Sequence, residues 1–198
     1  GKKCVISGNA TGSFSSVDEI PGQGYIAAGS SGSFALIIKL DLAGNLVWDK
    51  NILGFYGSIA AVISTSDSAF VFGGAANDSA MAIYGALNIF KTDRSGNMLW
   101  MKSISPTSSY YNGSYISDIH EKMNGDFVLS GYLADPIPTQ MLTQIDKDGN
   151  VKWCQQYYYT YHTFNYKTSS FKITTDMGFV YCLLGGTHTG AGSTNNFS

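Results

Sequence analysis

Charged side chains are scarce in this chain of 198 residues, at 13% of the total, and the net charge is −2. Arg94 is the single arginine, and the eleven lysines are spread along the sequence. A nucleic-acid-binding protein needs clustered Lys and Arg to neutralise phosphates, so this composition excludes that class. No apolar run approaches the roughly 18 residues of a membrane span, and we therefore expect no transmembrane segment.

Glutamate and arginine, two good helix formers, are also scarce. Of the 14 acidic residues only Glu19 and Glu121 are glutamates, and no long stretch has convincing 3.6-residue periodicity. By contrast, the chain has 23 Gly, 24 Ser, 13 Tyr and 11 Phe. These residue types favour turns and the pleated, half-buried surface of strands. The sequence therefore predicts an all-β protein.

An internal repeat organises the chain. The pattern D-x-x-G-N-φ-x-W, in which φ is apolar, occurs three times, and its tryptophans are 52 and 53 residues apart. Each copy predicts a hairpin, because Asp accepts backbone hydrogen bonds in a turn and Gly adopts the positive φ that strains other residues. The residues that define the motif are Asp41, Gly44 and Trp48; Asp93, Gly96 and Trp100; and Asp146, Gly149 and Trp153.

A second hairpin precedes each of these, so the predicted unit has four antiparallel strands in about 50 residues, which is typical of a β-propeller blade. Stacking such sheets around an axis buries both faces of each, and we interpret the recurrent Trp as packing between blades. Because a closed propeller needs about four to eight blades, we expect a segment of a larger propeller; a four-bladed ring is the alternative. We predict one domain over 1–198, with blades at 16–53, 58–105 and 115–158, a partial blade at 169–198, and a strand at 3–7 from a preceding or closing blade.

The order of these elements resembles the repeats of secreted β-propeller proteins of bacteria and protists. It is also loosely similar to the quinoprotein-type propeller blade, with its turn-and-tryptophan docking motif. The resemblance covers residues 16–186 and implies the propeller fold, although propellers host many unrelated functions. Quinoprotein enzymes hold their cofactor with acidic and basic groups and a calcium ion near the propeller axis. None of those groups maps onto this sequence, and we predict no cofactor.

Residues of the kinds that carry catalysis do not form a recognisable constellation. His120, His162 and His188 lie in no paired metal-binding spacing, and the sequence has neither a G-x-S-x-G elbow nor a phosphate-binding glycine loop. We therefore assign no catalytic, cofactor-binding or metal-binding residue. Residues 146–150 resemble the start of a calcium loop, but the other two copies lack an equivalent of Asp148 and no glutamate follows at the right distance. An ordinary hairpin turn is the favoured interpretation.

The densest aromatic segment follows the third tryptophan and contains Tyr157, Tyr158, Tyr159, Tyr161 and Tyr166. Aromatic rings stack on sugar faces, and tyrosine is also enriched at protein interfaces. The segment is therefore a candidate for carbohydrate binding or for a protein interface, and plain packing against neighbouring blades is the third interpretation.

Four N-x-[ST] sequons are candidate glycosylation sites, and all are predicted to lie in loops; their asparagines are Asn9, Asn77, Asn112 and Asn196. Three cysteines, Cys4, Cys154 and Cys182, allow one pair and a remainder. A low charge, together with richness in Tyr, Ser, Asn and Gly, favours an extracellular or cell-surface location.

These observations favour a non-catalytic structural or adhesive propeller module, glycosylated and part of an assembly such as a filament. We expect its partners to be other protein subunits or further blades, and glycans are a further candidate. The alternatives are a lectin-like propeller and a fragment of a quinoprotein-type enzyme. The intact mass of the natural protein would show whether the chain is longer and whether it carries sugars.

Overall fold

The protein is described here by a computed structural model, which describes residues 12–78, 83–104, 114–133, 139–158, 168–174, 178–183 and 194–197. These residues form antiparallel strands and no helix, which confirms the all-β prediction. No helix in the described ranges is therefore long and apolar enough to cross a membrane. Residues 3–7, Tyr159, Tyr161 and Tyr166, for which the sequence makes predictions, lie outside the described residues.

The strands alternate with short turns along the chain. They are β1 (Gly12–Ile20), β2 (Gly24–Ser31), β3 (Phe34–Leu40), β4 (Leu46–Ser64), β5 (Ala69–Asp78), β6 (Ile83–Asp93), β7 (Met98–Ile104), β8 (Tyr115–Glu121), β9 (Phe127–Leu133), β10 (Thr139–Ile145), β11 (Val151–Tyr158), β12 (Thr168–Ile173), β13 (Phe179–Leu183) and β14 (Thr194–Phe197).

Three four-stranded antiparallel units follow one another. Unit 1 contains β1, β2, β3 and the first part of β4, and unit 2 contains the remainder of β4 with β5, β6 and β7. Unit 3 contains β8 to β11, while β12 and β13 form a separate two-stranded sheet. Closure of these sheets into a ring is not seen among the described residues, so the propeller itself stays a prediction.

Two strands depart from the predicted pattern. The last strand of unit 1 and the first strand of unit 2 were expected to be separate, but β4 runs through Gly54 and Gly57 without a turn and changes partner from β3 to β5. In unit 3 a fifth strand is present, because β14 pairs with the outer edge of β11. An edge strand presents unpaired N–H and C=O groups, which is the physical reason that it accepts a further strand.

A bulge and a glycine recur in the first hairpin of every unit. The first strand shifts register beside Phe14, Ile59 and Ile116, and each of these residues lies opposite a glycine in the second strand. The carbonyl of the residue just before the bulge approaches so closely that an added Cβ at Gly131 would lie 2.7 Å from the Tyr115 oxygen. Glycine is therefore required there by close approach of two backbones.

Unit 2 buries apolar side chains on both of its faces. We call the face that contacts the preceding unit the trailing face, and the face that contacts the following unit the leading face. The leading face of unit 1 and the trailing face of unit 2 form one apolar cluster, in which Phe55, Phe72 and Phe90 are fully buried. A second cluster joins unit 2 to unit 3, and it includes Leu87 and Phe127. These two layers of apolar side chains, between successive sheets, are the core of the described protein.

Candidate binding surface

The units place their connections at two opposite ends. The turns between first and second strands and those between third and fourth strands lie at one end, which we call the turn end. The connections between second and third strands, and the passages from one unit to the next, lie at the other, which we call the loop end. At the turn end the Asp-x-x-Gly-Asn turn is repeated in all three units, whereas the connections at the loop end vary from unit to unit. Recognition sites are generally carried by such variable connections on a rigid frame.

The Asp-x-x-Gly-Asn turn has the same geometry in all three units. Asp41 Oδ1 accepts hydrogen bonds from the backbone N–H groups of Ala43 and Asn45, both at 2.8 Å, and Asn45 Nδ2 donates to Asp41 Oδ2 at 2.9 Å. The side-chain hydrogen bond from Asn45, followed by the backbone ones, lowers the pKa of Asp41. Gly44 has a φ of 85°, in the left-handed region that glycine tolerates. Each aspartate is therefore a turn-forming group.

The calcium interpretation of the third turn can be tested on the same contacts. Asp146 Oδ1 accepts from the backbone N–H groups of Asp148 and Asn150, and Asn150 Nδ2 donates to Asp146 Oδ2 at 3.0 Å. These bonds repeat those of the copies that have Ala43 or Ser95 at the position of Asp148. The carboxylate of Asp146 is thus used by the turn, and the described residues contain no cluster of His, Cys, Asp or Glu suited to a metal.

The repeated tryptophan of one unit packs on the turn of the next unit. An added Cβ at Gly96 would lie 3.1 Å from Cη2 of Trp48, and one at Gly149 would lie 3.0 Å from Cζ3 of Trp100. Trp48 also meets Phe70 of unit 2 edge to face, with ring centroids 6.4 Å apart. The glycine therefore has two roles, since it allows the positive φ of the turn and leaves room for the indole.

Polar bonds accompany this contact. Lys50 follows Trp48 by two positions, and its Nζ donates to Asn97 Oδ1 in the turn of unit 2 at 3.1 Å. At the second joint, Trp100 Nε1 donates to the carbonyl of Lys147 at 3.2 Å. Trp153 is different, because its Nε1 donates to Gln144 Oε1 of its own unit at 2.9 Å.

A charged network lies at the turn end of unit 3. Asp126 is buried, and its Oδ2 accepts from Lys152 Nζ at 2.7 Å, from Gln144 Nε2 at 2.6 Å and from Asn124 Nδ2 at 3.0 Å. Burial acts to raise the pKa of Asp126, but these three donors together outweigh it and lower that pKa. Trp153 also donates to Gln144, so the network connects the repeated indole to a buried carboxylate.

Unit 2 has a smaller counterpart. Lys91 is buried, and its Nζ lies 2.6 Å from Asp67 Oδ2, while Asp67 Oδ1 accepts from Thr65. Desolvation acts to raise the pKa of Asp67, but the hydrogen bonds from Lys91 and Thr65 lower it overall. His120, the one candidate histidine in the described residues, has its Nε2 3.5 Å from Asp118 Oδ2 on the same strand. Each of these ionic contacts joins residues of a single unit.

Exposed aromatic side chains mark the loop end of unit 1. Phe34 and Tyr56 face each other across β3 and β4, with ring centroids 5.4 Å apart and planes tilted by 42°, and both rings are exposed. Leu53, in the same passage toward unit 2, is 85% exposed. Residues 29–36 and 51–58 contain no Asp, Glu, Lys or Arg. Sequence analysis missed this surface, although the two charge-free segments with an aromatic in each were a visible signal.

The predicted tyrosine segment starts at the same end of unit 3. Tyr157 lies near the end of β11, half-buried, and its hydroxyl donates to Gln155 Oε1 at 3.0 Å. Tyr115 and Tyr132 form a tilted pair on β8 and β9, with centroids 5.7 Å apart, and burial followed by the proximity of Tyr132 raises the pKa of Tyr115. Tyr158 is the last residue of β11. Unit 3 therefore also carries aromatic rings at its loop end.

The prediction that all four sequons lie in loops is wrong for two of them. Asn77 lies within β5 because the ladder with β6 continues as far as Asp78 and Ile83, and Asn196 lies within β14. Asn9 and Asn112 lie outside the described residues.

Of the cysteines, Cys154 is a free thiol on β11 that accepts a hydrogen bond from Thr143 Oγ1 at 3.2 Å. Burial raises the pKa of this thiol, which suits a buried packing residue. Cys182 lies in β13, and Cys4 is outside the described ranges.

Comparison with known proteins identifies no relative of known function. No family model and no curated protein matches the chain. Among solved structures, it matches the crystal structure of a protein of unknown function from Bacteroides caccae at 10% sequence identity, with a TM-score of 0.44. The match covers 74% of this chain and 53% of that one, so this chain spans about half the length of that protein.

Proposed function

We propose that this chain is part of a β-propeller that acts as a non-catalytic structural or adhesive module in an extracellular assembly. The observation that carries the proposal is the repetition of one joint: at two successive contacts, a tryptophan packs on the turn glycine of the next unit. Identical joints rotate each sheet by a similar step, which is how sheets come to be arranged around an axis.

The two ends of the units differ in their residues, and this difference supports an adhesive role. The repeated Asp-x-x-Gly-Asn turns complete the joints at the turn end, whereas the variable loop end exposes Phe34, Leu53 and Tyr56. Large exposed apolar side chains with few charges around them are typical of contact surfaces. The buried ionic groups, such as Asp126 with Lys152, connect strands of one sheet and are placed as structural groups.

A charge placed at each end tests the adhesive role. In the natural protein we expect Leu53→Asp, at the loop end, to abolish or weaken assembly seen by electron microscopy. Met123→Asp is the matched control, because Met123 is 95% exposed but lies at the turn end. A natural protein that forms no assembly, or a Leu53→Asp variant that assembles like the Met123→Asp variant, would contradict the proposal.

Carbohydrate binding is the second candidate function, and the pair formed by Phe34 and Tyr56 favours it. Neutral polar residues adjoin this pair along the strands: Ser31 lies opposite Phe34, Ser33 precedes it, and Asn51 lies opposite Leu36. Aromatic faces combined with neutral hydrogen-bonding groups suit an uncharged sugar. We expect a panel of neutral oligosaccharides to include a ligand whose binding is lost in Phe34→Ala and in Tyr56→Ala. Tyr25→Ala removes a similarly exposed ring at the turn end and should have no effect.

A further inference from the structure

The outer edge of unit 3 is occupied by a strand from a later part of the chain. β14 pairs antiparallel with β11, so that Thr194 lies opposite Tyr157 and Phe197 lies opposite Cys154. β14 pairs with no other described strand, and it adds only four residue pairs to the sheet. Because local unfolding begins where few contacts hold an element, we expect β14 to open more readily than the four strands of unit 3 itself.

Strand register identifies the equivalent edges of the other two units. Residues 154–157 of unit 3 correspond to residues 49–52 of unit 1 and to residues 101–104 of unit 2. In the ranges that the structure describes, neither of these two edges carries an added strand. The three edges can therefore be compared position by position, with one occupied and two not.

Charge distinguishes the three edges. Unit 1 has Asp49 and Lys50 at these positions and unit 2 has Lys102, whereas residues 154–157 of unit 3 include no charged residue. Charged side chains are a common protection of edge strands against pairing with another chain. The sequence of β14, Thr-Asn-Asn-Phe, is also uncharged. The edge of unit 3 is therefore the least protected of the three once β14 leaves it.

Opening of β14 exposes two complementary surfaces in one molecule. The edge of β11 then lacks its strand, and the strand lacks its sheet. The same four residue pairs form whether the strand and the edge belong to one chain or to two, so exchange between copies loses no contact. Tethering gives β14 an effective concentration on the order of 1 mM at its own edge, and exchange is therefore favoured at comparable protein concentrations.

We propose that the outer edge of unit 3 is an interface between two copies of this chain, in which β14 of each copy pairs with β11 of the other. Each copy donates one strand and receives one, in the register that the single chain shows. This interface shares no residue with the exposed surface around Phe34 and Tyr56. The inference therefore goes beyond the function proposed above and does not depend on it.

Disulfide trapping between two singly substituted chains tests the exchange. Gln156 lies opposite Asn195, and opposite residues of antiparallel strands have Cβ atoms about 4.5–5.5 Å apart. We expect Gln156→Cys chains and Asn195→Cys chains, incubated together at about 1 mM and then oxidised, to form a dimer linked between these two positions. The linked fraction should fall at least about tenfold after incubation at about 1 µM. Peptide mapping by mass spectrometry separates this bond from those of Cys4, Cys154 and Cys182.

The chain offers a matched control on the edge of unit 2. Ser103 holds the position equivalent to Gln156, so Ser103→Cys chains mixed with Asn195→Cys chains should give at most about a tenth of the linked dimer. The neighbouring opposite pair, Gln155→Cys with Asn196→Cys, repeats the test if the first substitution perturbs the sheet.

Three results would overturn the inference. The first is as much linked dimer with Ser103→Cys as with Gln156→Cys. The second is a chain with both Gln156→Cys and Asn195→Cys that links only within itself at every concentration. The third is the absence of any linkage in both opposite pairs, because β14 would then not lie on this edge. Leu53→Asp should leave the trapping unchanged, and its loss in that variant would also overturn the inference, since the dimer would then form through unit 1.

Discussion

Units 2 and 3 have the same frame, but their leading faces differ in polarity at four equivalent positions. Both have the bulge and its facing glycine, the Asp-x-x-Gly-Asn turn and the tryptophan, in equivalent registers. On the leading face, Val71 and Val128 are equivalent and apolar in both units, but at four other positions a nonpolar residue of unit 2 corresponds to a polar or amphipathic one in unit 3. The equivalent pairs are Ile63 and His120, Gly73 and Ser130, Leu87 and Gln140, and Ile104 and Tyr157.

This difference shows that the frame and the faces are specified by separate residues. Turn hydrogen bonds and close backbone approach determine the four-stranded unit, and neither depends on what the leading face presents. The face then decides the kind of joint: apolar packing is non-directional, whereas a buried amide such as Gln140 requires a partner in a particular place. A polar leading face is therefore the more selective of the two.

Exchanging a face residue between the units should have the largest effect. Leu87 is fully buried in the apolar joint, and Leu87→Gln would remove its apolar contacts and bury an amide without a partner. We expect a loss of about 3 to 5 kcal/mol in the free energy of unfolding, measured by urea denaturation. The reverse exchange, Gln140→Leu, is the matched control. It should cost only about 1 kcal/mol, because gained apolar burial offsets the lost polar interaction. Equal losses would mean that the two faces do not differ in kind.

The tryptophan joint can be separated from the strain of its turn. Gly149 and Gly125 have φ of 83° and 80°, but an added Cβ at Gly149 would lie 2.9 Å from Lys102 and 3.0 Å from Trp100, whereas at Gly125 nothing lies within 4 Å. Gly149→Ala should therefore cost about 2 to 3 kcal/mol, and Gly125→Ala only the backbone strain of about 1 kcal/mol. Similar losses in the two variants would show that the indole does not depend on the glycine.

The sequence predicted the local features well. Asp, Gly, Asn and Trp at fixed spacing report on a turn whose bonds span four residues, and the predicted turn therefore forms in all three copies. The faces could not be predicted with the same ease. A bulge beside Phe14 reverses the alternation along β1, so the periodicity of apolar residues no longer tells which side chain faces which neighbour.

Contacts between residues far apart in the sequence were the second kind of feature that could not be predicted. Asp126 and Lys152 are 26 positions apart, and nothing local in either strand indicates that they meet. The continuation of β4 was missed because Gly54 and Gly57 suggest a break, whereas the change of partner strand keeps the backbone extended. Exposure at Phe34 and Tyr56 likewise depends on the register of two strands, which a single sequence does not contain.

Acid should weaken unit 3 through Asp126, a residue that has Ala69 as its equivalent in unit 2. Because the folded-state pKa of Asp126 lies below its ordinary value of 3.8, its stabilising contribution is present above that pH and is lost as the pH falls through the folded pKa. Asp126→Asn should lower the free energy of unfolding at pH 6 by only about 1 kcal/mol, because Lys152 is half exposed and its attraction to Asp126 is screened by water. The variant should also lose less stability than the unmodified protein between pH 6 and pH 3. Urea midpoints across this range measure both. Lys152→Met should flatten the profile in the same way, and an unchanged profile in both variants would refute the assignment.

The smallest effect concerns the one turn in which unit 2 lacks the glycine of unit 3. Ser68 has a φ of 63°, in the left-handed region that strains residues with a Cβ, and Gly125 holds the equivalent position with a φ of 80°. Both turns close with the same pair of backbone hydrogen bonds. Ser68→Gly should therefore stabilise the protein by about 0.5 kcal/mol, because relief of strain slightly exceeds the added flexibility of the unfolded chain. The reciprocal Gly125→Ser should destabilise by a similar amount in thermal unfolding. If both variants lose stability, the serine in unit 2 makes a contribution of its own and the two turns are not interchangeable.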